Sequence, residues 1–459
     1  MFSNIILDKT IKAYIIIGLL LYVFLFLIWK DSVTYYNILN LFTFVSYAFI
    51  LYTNTNKPEG FYTNAQLATV VSLYSLSFVG MYLMASIYYT DDTFWGDYTD
   101  PFVYANISDK IVRENISTID IPSYLISHYR WGYDDWGAPI IQSLILKIVP
   151  SKYFLFLFQI ILGTIASLAL FSIGKKIMKI DYAYIGALSY ALSSFSLYYY
   201  GSYRKESIMV FFVIITFYFF YRYLASKTIF YLGISFLFSL SMFLFRPPVA
   251  VFFWVGTLSF FAFRNGFNSK FLLASAVFLI IIGMAYSVIL DNFNRYTTGG
   301  DITKGENYIH ATSFSIFVSC ISSMTGPFPQ LLQIGIKKFS NLAMNGSGLL
   351  FKFLLFFAFW KGFLLCIRNR EENVIPVYIF CILEMIGLAI VNDGLELRKA
   401  MPHIPLFYVA AFWFMSQYDD DVDDTILRSP YYIWSNRVFS FCIGIVFIAS
   451  LFWNTLRFS

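Results

Sequence analysis

Long apolar runs separated by short polar connections make up most of this chain. A helix of about 20 apolar residues crosses a ~30 Å hydrocarbon core, and many of the runs reach that length. The pattern therefore predicts an all-α integral membrane protein with about 13 transmembrane helices and two long loops on one side. The predicted spans lie near residues 11–29, 34–52, 66–89, 152–173, 182–201, 207–221, 228–245, 248–263, 271–290, 347–365, 374–391, 403–417 and 434–453.

Two apolar runs are too short to cross a bilayer, and a third run, the first in the chain, could be mistaken for a signal peptide. Residues 138–149, between Pro139 and Pro150, are expected to lie at the membrane interface. Residues 311–324 are expected to be re-entrant or buried against other helices. The first run, 11–29, is too long for the apolar part of a signal peptide, so we predict that it is the first span.

Lysine and arginine residues occupy alternate connections, as cytoplasmic loops do in multi-span proteins. Placing the N-terminus in the cytoplasm puts the short, simply basic connections on that side as well, and the acidic run 419–424 counts little in this rule. The two long connections, 90–151 and 291–346, then lie outside. The cytoplasmic cations in this arrangement are Lys9, Lys12, Lys57, Lys175, Lys176, Lys179, Arg222, Lys227, Arg264, Lys270, Arg368 and Arg370.

Composition excludes several other classes of protein. Apolar residues are 59% of the chain and charged residues 13%, which is unlike a soluble domain. The net charge of +5 follows from inside-facing cations and requires no nucleic acid. The four cysteines and three histidines show no zinc-ligand spacing. The chain contains no P-loop, GxSxG elbow or dinucleotide fingerprint, which favours an activated, lipid-linked substrate.

An acidic and aromatic cluster opens the first long outer loop, directly after a span. Clustered carboxylates can hold a raised pKa or bind a divalent cation such as Mg²⁺ or Mn²⁺, and either suits activation of a sugar hydroxyl. An ordinary solvated acidic loop is the alternative. Interleaved aromatic rings, on which sugars can stack, favour function. The candidate catalytic carboxylates are Asp91, Asp92, Asp97 and Asp100, and Trp95, Tyr98 and Tyr104 are predicted to contact substrate.

Outward-facing cations form a second set of candidates, since the positive-inside rule disfavours them there. Cations at helix ends on one face can hold the phosphate of a lipid carrier, and interfacial snorkelling is the alternative. We predict a phosphate site built from Arg204, Lys205, Arg246, Arg295 and Arg398. Glu206, His310 and His403 are predicted to contact substrate or acceptor, and Glu384 stands out as an ionisable residue inside an apolar run.

This layout resembles the GT-C superfamily of membrane glycosyltransferases, which use polyprenyl-linked sugars as donors. The resemblance rests on Asp91–Tyr104, on Trp136-Gly137-Ala138-Pro139 and on the short-looped helices that follow, up to about residue 265. In that superfamily the first outer loop carries the catalytic carboxylate, which points to Asp97 or Asp100 ahead of Asp91 or Asp92. The resemblance therefore implies glycosyl transfer on the periplasmic face of the bacterial inner membrane.

A narrower resemblance links the chain to O-antigen and other surface polysaccharide polymerases of the Wzy type. It rests on the segments 203–207, 244–247, 326–329 and 398–402, which share outward arginines and prolines. It implies an inverting polymerisation of repeat units carried on polyprenyl pyrophosphate. A transferase that adds one sugar from a polyprenyl-phosphate monosaccharide is the first alternative, and a lipid-linked glycan flippase is the second.

These interpretations divide the chain into four parts and imply its partners. Residues 1–65 form an N-terminal hairpin, 66–290 a GT-C-like catalytic core that includes the acidic loop 90–151, 291–346 a second periplasmic loop, and 347–459 the C-terminal helices. The implied partners are polyprenyl-linked glycans, membrane lipids, and a chain-length regulator or flippase of the same pathway.

Overall fold

The computed structural model describes residues 5–28, 35–55, 57–90, 100–129, 135–201, 204–265, 331, 346–390 and 397–418, together with short pieces between 437 and 452. All regular secondary structure in these ranges is helical, which confirms the predicted all-α class. Two 3₁₀ turns cover Glu59–Phe61 and Met242–Leu244. The helices are α1 (Ile5–Ile28), α2 (Tyr35–Asn54), α3 (Asn64–Thr90), α4 (Asp100–Arg113), α5 (Ile121–Tyr129), α6 (Gly137–Ile148), α7 (Lys152–Ile177), α8 (Ile180–Ala191), α9 (Ser194–Tyr200), α10 (Lys205–Ser226), α11 (Ile229–Ser241), α12 (Pro247–Asn265), α13 (Ser347–Asn369), α14 (Ile375–Ile390), α15 (Leu397–Ala400) and α16 (Ile404–Tyr418).

Within the described residues, five helices are long and apolar enough to cross a membrane: Leu7–Ile28, Tyr153–Ile177, Lys205–Ser226, Pro247–Arg264 and Ser347–Asn369. The protein is therefore a multi-pass membrane protein. Four shorter apolar helices cover Gly137–Ile148, Ile229–Leu244, Ile375–Leu388 and Ile404–Gln417. The number of about 13 spans stays a prediction, because the predicted span 271–290 and the short run 311–324 lie outside the described residues, and 434–453 is described only in part.

The predicted single span at 182–201 is instead two helices, α8 and α9, which meet at Leu192 and Ser193. Ser193 has extended backbone dihedrals, and its hydroxyl donates to the carbonyl of Tyr190 at 2.7 Å. A serine side chain that bonds nearby backbone in this way competes with the helical hydrogen bonds. Hydrophobicity alone could not reveal this break, because the run is apolar on both sides of it.

Helices α7 and α10 run parallel and side by side, which fixes the two ends of the helical assembly. Near their N-terminal ends, the Ser207 hydroxyl lies 2.5 Å from Oε1 of Gln159. Near their C-terminal ends, Ser172 and Lys175 of α7 lie beside Tyr218 of α10. Along the chain, α8 and α9 connect the C-terminal end of α7 to the N-terminal end of α10. The end of α10 that begins at Lys205 is therefore opposite to the end that carries Arg222.

Where the structure describes it, the segment from residue 100 to 148 consists of helices α4, α5 and α6 and the turns beside them. Helix α4 packs on α6, and α5 closes a small separate core. That core is formed by the buried side chains of Ile107, Ile111, Ile121, Tyr124 and Leu125. This packing holds the start of α4 and the start of α6 in a defined relation, next to the ends of the membrane helices.

Close approach of α12 to α14 depends on Gly256, and this gives a test of the packing. A Cβ atom at this position would lie 2.8 Å from the backbone oxygen of Pro376, which cannot move aside easily. We expect Gly256→Ala to destabilise the protein by about 1–3 kcal/mol and to lower its unfolding temperature in detergent. The matched control is Gly233→Ala in α11, where nothing lies within 4 Å of the added atom. Equal melting of the two variants would contradict this packing.

Candidate active site

Part of the predicted site lies outside the described residues. This holds for Asp91, Asp92, Trp95, Asp97, Tyr98, Arg295 and His310. Asp100 is the first residue of α4, and Arg398 belongs to the short helix α15. The catalytic carboxylate and a bound Mg²⁺ or Mn²⁺ therefore remain predictions. Within the described residues, no group of three His, Cys, Asp or Glu side chains could hold a metal ion.

A polar cluster joins α4, the turn before α6, and the start of α10. We call Tyr104, Asp135 and Lys205 the Lys205 cluster. The ammonium of Lys205 forms an ion pair with Oδ1 of Asp135. The hydroxyl of Tyr104 donates to the same oxygen at 2.9 Å, and the ammonium lies 5.7 Å from the Tyr104 ring centre. The Asp135 carboxylate and the Tyr104 ring thus hold this lysine at the N-terminal end of a membrane helix.

The exposure of the ion pair suits a binding role. The side chains of Lys205 and Asp135 are 16% and 32% exposed, so the pair is neither free in water nor fully buried. An exposed surface pair contributes ~0–1 kcal/mol to stability, and a partly desolvated cation attracts an anion more strongly than an exposed one. Because α10 also directs its positive dipole end toward this position, the arrangement favours a phosphate.

Arg204 precedes Lys205 and is held by tyrosines. It is 6% exposed, and its Nη2 donates to the Tyr198 hydroxyl at 2.9 Å. Its guanidinium carbon lies 5.2 Å from the ring centre of Tyr198 and 5.7 Å from that of Tyr199. These contacts argue against interfacial snorkelling of Arg204, because a snorkelling side chain places its charged group in water. The break between α8 and α9 places both tyrosines here.

Glu206 and His403, predicted to contact substrate or acceptor, are 1% and 0% exposed. Both side chains therefore lie in the interior of the helical assembly, and their contact with substrate stays a prediction. Sequence reasoning could not show this burial, because both residues adjoin polar segments at predicted helix ends. Tyr104 is likewise buried, and its side chain contacts Asp135 and Lys205.

Arg246 connects two cationic segments that are 153 residues apart along the chain. Its Nη1 donates to the backbone oxygen of Lys399 at 2.7 Å, which places α15, with Arg398, beside the start of α12. The preceding residue, Phe245, lies against the start of α6, since a Cβ on Gly137 would be 2.4 Å from its ring. The start of α6 follows directly on Asp135, so the same end of the assembly carries the Lys205 cluster and the Arg246 contact.

A second group, which we call the buried polar cluster, consists of Lys352, Glu384 and His403. Nδ1 of His403 lies 3.4 Å from Oε2 of Glu384, and both side chains are almost completely buried. Lys352 is 0% exposed, and its ammonium lies 5.8 Å from the ring centre of Phe407. Within the described residues, none of the polar side-chain atoms of these three residues has a hydrogen-bond partner of good geometry.

Sequence reasoning missed two of the residues that this geometry identifies. Asp135 was one of nine acidic residues between Asp91 and Asp135, and nothing in the local sequence marks it as the partner of Lys205. Lys352 was detectable, because a lysine inside an apolar run is a functional candidate, as Glu384 was. The candidate roles of Asp135 and Lys352 follow from contacts between segments that are far apart in the chain.

Comparison with known proteins supports the class of protein that the sequence predicted. Residues 137–289 match the model of the dolichyl-phosphate-mannose-protein mannosyltransferase family. This match supports the GT-C superfamily. It covers about a third of the chain and includes Arg204, Lys205, Glu206 and Arg246. No curated protein matches the chain. The resemblance to membrane glycosyltransferases of the GT-C type therefore has independent support. The narrower resemblance to polysaccharide polymerases stays a prediction.

Proposed function

We propose that this protein transfers a single sugar from a polyprenyl-phosphate donor to an acceptor hydroxyl at the outer face of the bacterial inner membrane. The Lys205 cluster is the observation that carries the proposal. It places a fixed cation at the N-terminal end of a membrane helix, next to Arg204, inside the segment that matches a glycosyltransferase family. The distribution of Lys and Arg supports a cytoplasmic N-terminus and a periplasmic site.

The proposed reaction requires a base and a stabilised leaving group. The acceptor oxygen bonds to C1 of the sugar while its proton passes to a carboxylate, for which Asp97 and Asp100 are our candidates. The bond between C1 and the phosphate oxygen breaks, and the polyprenyl phosphate leaves with the electron pair. Lys205 and Arg204 stabilise the charge that develops on that phosphate. Attack opposite to the leaving phosphate inverts the configuration at C1.

The remaining predicted residues have places in this scheme. Arg246, Arg295 and Arg398 are proposed to bind donor phosphate beside Lys205. Glu206, His403, Trp95, Tyr98 and His310 are proposed to shape the sugar and acceptor sites. A divalent cation at the acidic loop is proposed to assist the carboxylates. A chain-length regulator and a flippase of the same pathway are the proposed protein partners.

A repeat-unit polymerase is the second candidate function. The hydrogen bond from Arg246 to the Lys399 backbone favours it, because it brings two outward cationic segments together, as a pyrophosphate carrier requires. The family description, dolichyl-phosphate-mannose-protein mannosyltransferase, names a monosaccharide donor and favours single transfer. Transport is the weakest alternative, since Lys352, Glu384 and His403 form one local cluster and no continuous charged path is built from them.

Deletion of the gene separates these functions. Surface polysaccharide from wild-type and deletion cells is compared on a gel, and the repeat unit is weighed by mass spectrometry. We expect an intact ladder in which each acceptor unit lacks one sugar, restored by the wild-type gene and not by Lys205→Gln. A ladder that collapses to a single repeat would instead identify a polymerase. Unchanged glycans, lipids and glycoproteins would refute glycosyl transfer.

A further inference from the structure

A cationic cavity lies at the end of the helices opposite to the candidate active site. It has a volume of about 440 Å³ and is lined by Asn64, Ser172, Lys175, Lys176, Tyr218, Tyr221 and Arg222. Arg222 follows Lys205 by 17 positions in α10, which corresponds to about 25 Å along a helix. The cavity is therefore a separate site and no extension of the Lys205 cluster.

Among the described residues, no carboxylate compensates the charges of this cavity. The described lining contains three cations and no acidic residue. Within the described part of the chain, Lys175, Lys176 and Arg222 form no ion pair with a carboxylate, and the described contacts of Lys175 and Arg222 are with uncharged groups. Three like charges around one cavity repel one another, and a bound anion relieves that repulsion. The cavity is thus complementary to a phosphate group.

Aromatic and amide groups hold two of these cations in place. The guanidinium of Arg222 lies 5.9 Å from the ring centre of Tyr218 and 5.4 Å from that of Tyr231. The ammonium of Lys175 lies 4.5 Å from the Phe171 ring centre and 3.5 Å from Oδ1 of Asn64. Such contacts reduce the side-chain entropy that a ligand would otherwise have to overcome.

The surroundings indicate a lipid as the source of the phosphate. The cavity lies at the ends of α7 and α10, two of the helices that can span a membrane, which is the level of the headgroups. Directly after α10, Ile229 and Phe230 are 73% and 66% exposed, so apolar surface continues past the cavity. Basic pockets between helices on the cytoplasmic side are known to bind anionic headgroups. A soluble phosphate would make no use of this apolar surface.

We propose that this cavity binds the headgroup of an anionic glycerophospholipid in the cytoplasmic leaflet, with the phosphate between Lys175, Lys176 and Arg222 and the acyl chains along Ile229 and Phe230. The site supplies a lipid contact on the face away from the chemistry. The ligand class is independent of whether the protein transfers one sugar, polymerises repeats or moves lipid-linked glycans.

Binding of dioleoyl-phosphatidylglycerol to the purified full-length protein in detergent, followed by native mass spectrometry, tests the proposal. We expect Lys175→Gln/Lys176→Gln/Arg222→Gln to weaken binding at least about tenfold, because each cation near an anionic headgroup contributes to affinity. The matched control is Lys57→Gln/Lys227→Gln/Arg368→Gln, which removes three exposed cations of the same face that do not line the cavity. The control is expected to bind like the wild type.

Two results would overturn the proposal. One is equal phosphatidylglycerol affinity in the cavity variant and the control variant. The other is tight binding of glycerol 3-phosphate or inorganic phosphate with no gain from the diacyl lipid, which would identify a soluble anion as the ligand. If the triple variant does not give monodisperse protein, Arg222→Gln is compared with Arg368→Gln in the same titration, and the same two results decide.

Discussion

Replacing Lys205 by glutamine is expected to lower the rate of glycosyl transfer about 100- to 1,000-fold, with a smaller effect on acceptor KM. The ammonium is held by Asp135 and Tyr104 at the N-terminal end of α10, where the proposed leaving phosphate gains charge. Removing one preorganised group that stabilises developing charge costs about this factor in other enzymes. The measurement is turnover of undecaprenyl-phosphate-linked mannose and glucose by purified protein in nanodiscs.

The matched control is Lys110→Gln. Lys110 is a half-exposed lysine of α4, the helix that also carries Tyr104, and it pairs with Glu114 at 3.7 Å. Its loss is expected to change turnover by less than about twofold, as surface ion pairs contribute little. Equal turnover in Lys205→Gln and Lys110→Gln would contradict a role for Lys205 in the reaction.

A double-mutant cycle separates the role of Asp135 from that of Lys205. If Asp135 acts by positioning the ammonium, Asp135→Asn lowers kcat and the double variant is no worse than Lys205→Gln alone. Additive losses would instead assign Asp135 a separate contact with substrate. Tyr104→Phe, which removes only the 2.9 Å hydrogen bond to Asp135, is expected to give an intermediate loss.

Replacing Lys352 by methionine is expected to stabilise the protein by about 1–3 kcal/mol and to lower its activity at least tenfold. Lys352 is fully buried without a hydrogen-bond partner among the described residues, and burying an amino group in this way destabilises the fold. A methionine of similar length fills the same space without that cost. A destabilising ionisable group inside a membrane helix indicates function, so activity is expected to fall as stability rises.

Thermal unfolding in detergent and turnover in nanodiscs are measured on the same preparations. Lys361→Met, in the same helix nine residues further along, is the control and is expected to retain activity. A Lys352→Met variant that is more stable and fully active would show that the lysine serves neither substrate nor reaction. Glu384→Gln keeps the shape of the partner of His403 and is expected to reduce activity without unfolding the protein.

Much of the fold follows from local sequence, because a membrane helix needs an apolar run of a certain length and nothing from elsewhere in the chain. The runs predicted at 207–221, 248–263 and 347–365 correspond to helices 205–226, 247–265 and 347–369. The break at Ser193 escaped the prediction, since it depends on a serine hydroxyl bonding to backbone within an otherwise apolar run.

The candidate site likewise has one part that local sequence predicts and one part that depends on how the helices pack. The sequence by itself determined that Arg204, Lys205 and Arg246 lie at helix ends on one face, because their positions relative to apolar runs are local properties. Only the tertiary structure decided that Lys205 meets Asp135, that Arg246 reaches the Lys399 backbone, and that Glu384 faces His403. Those pairs join segments distant along the chain, and their proximity is set by how the helices pack, which no single helix encodes.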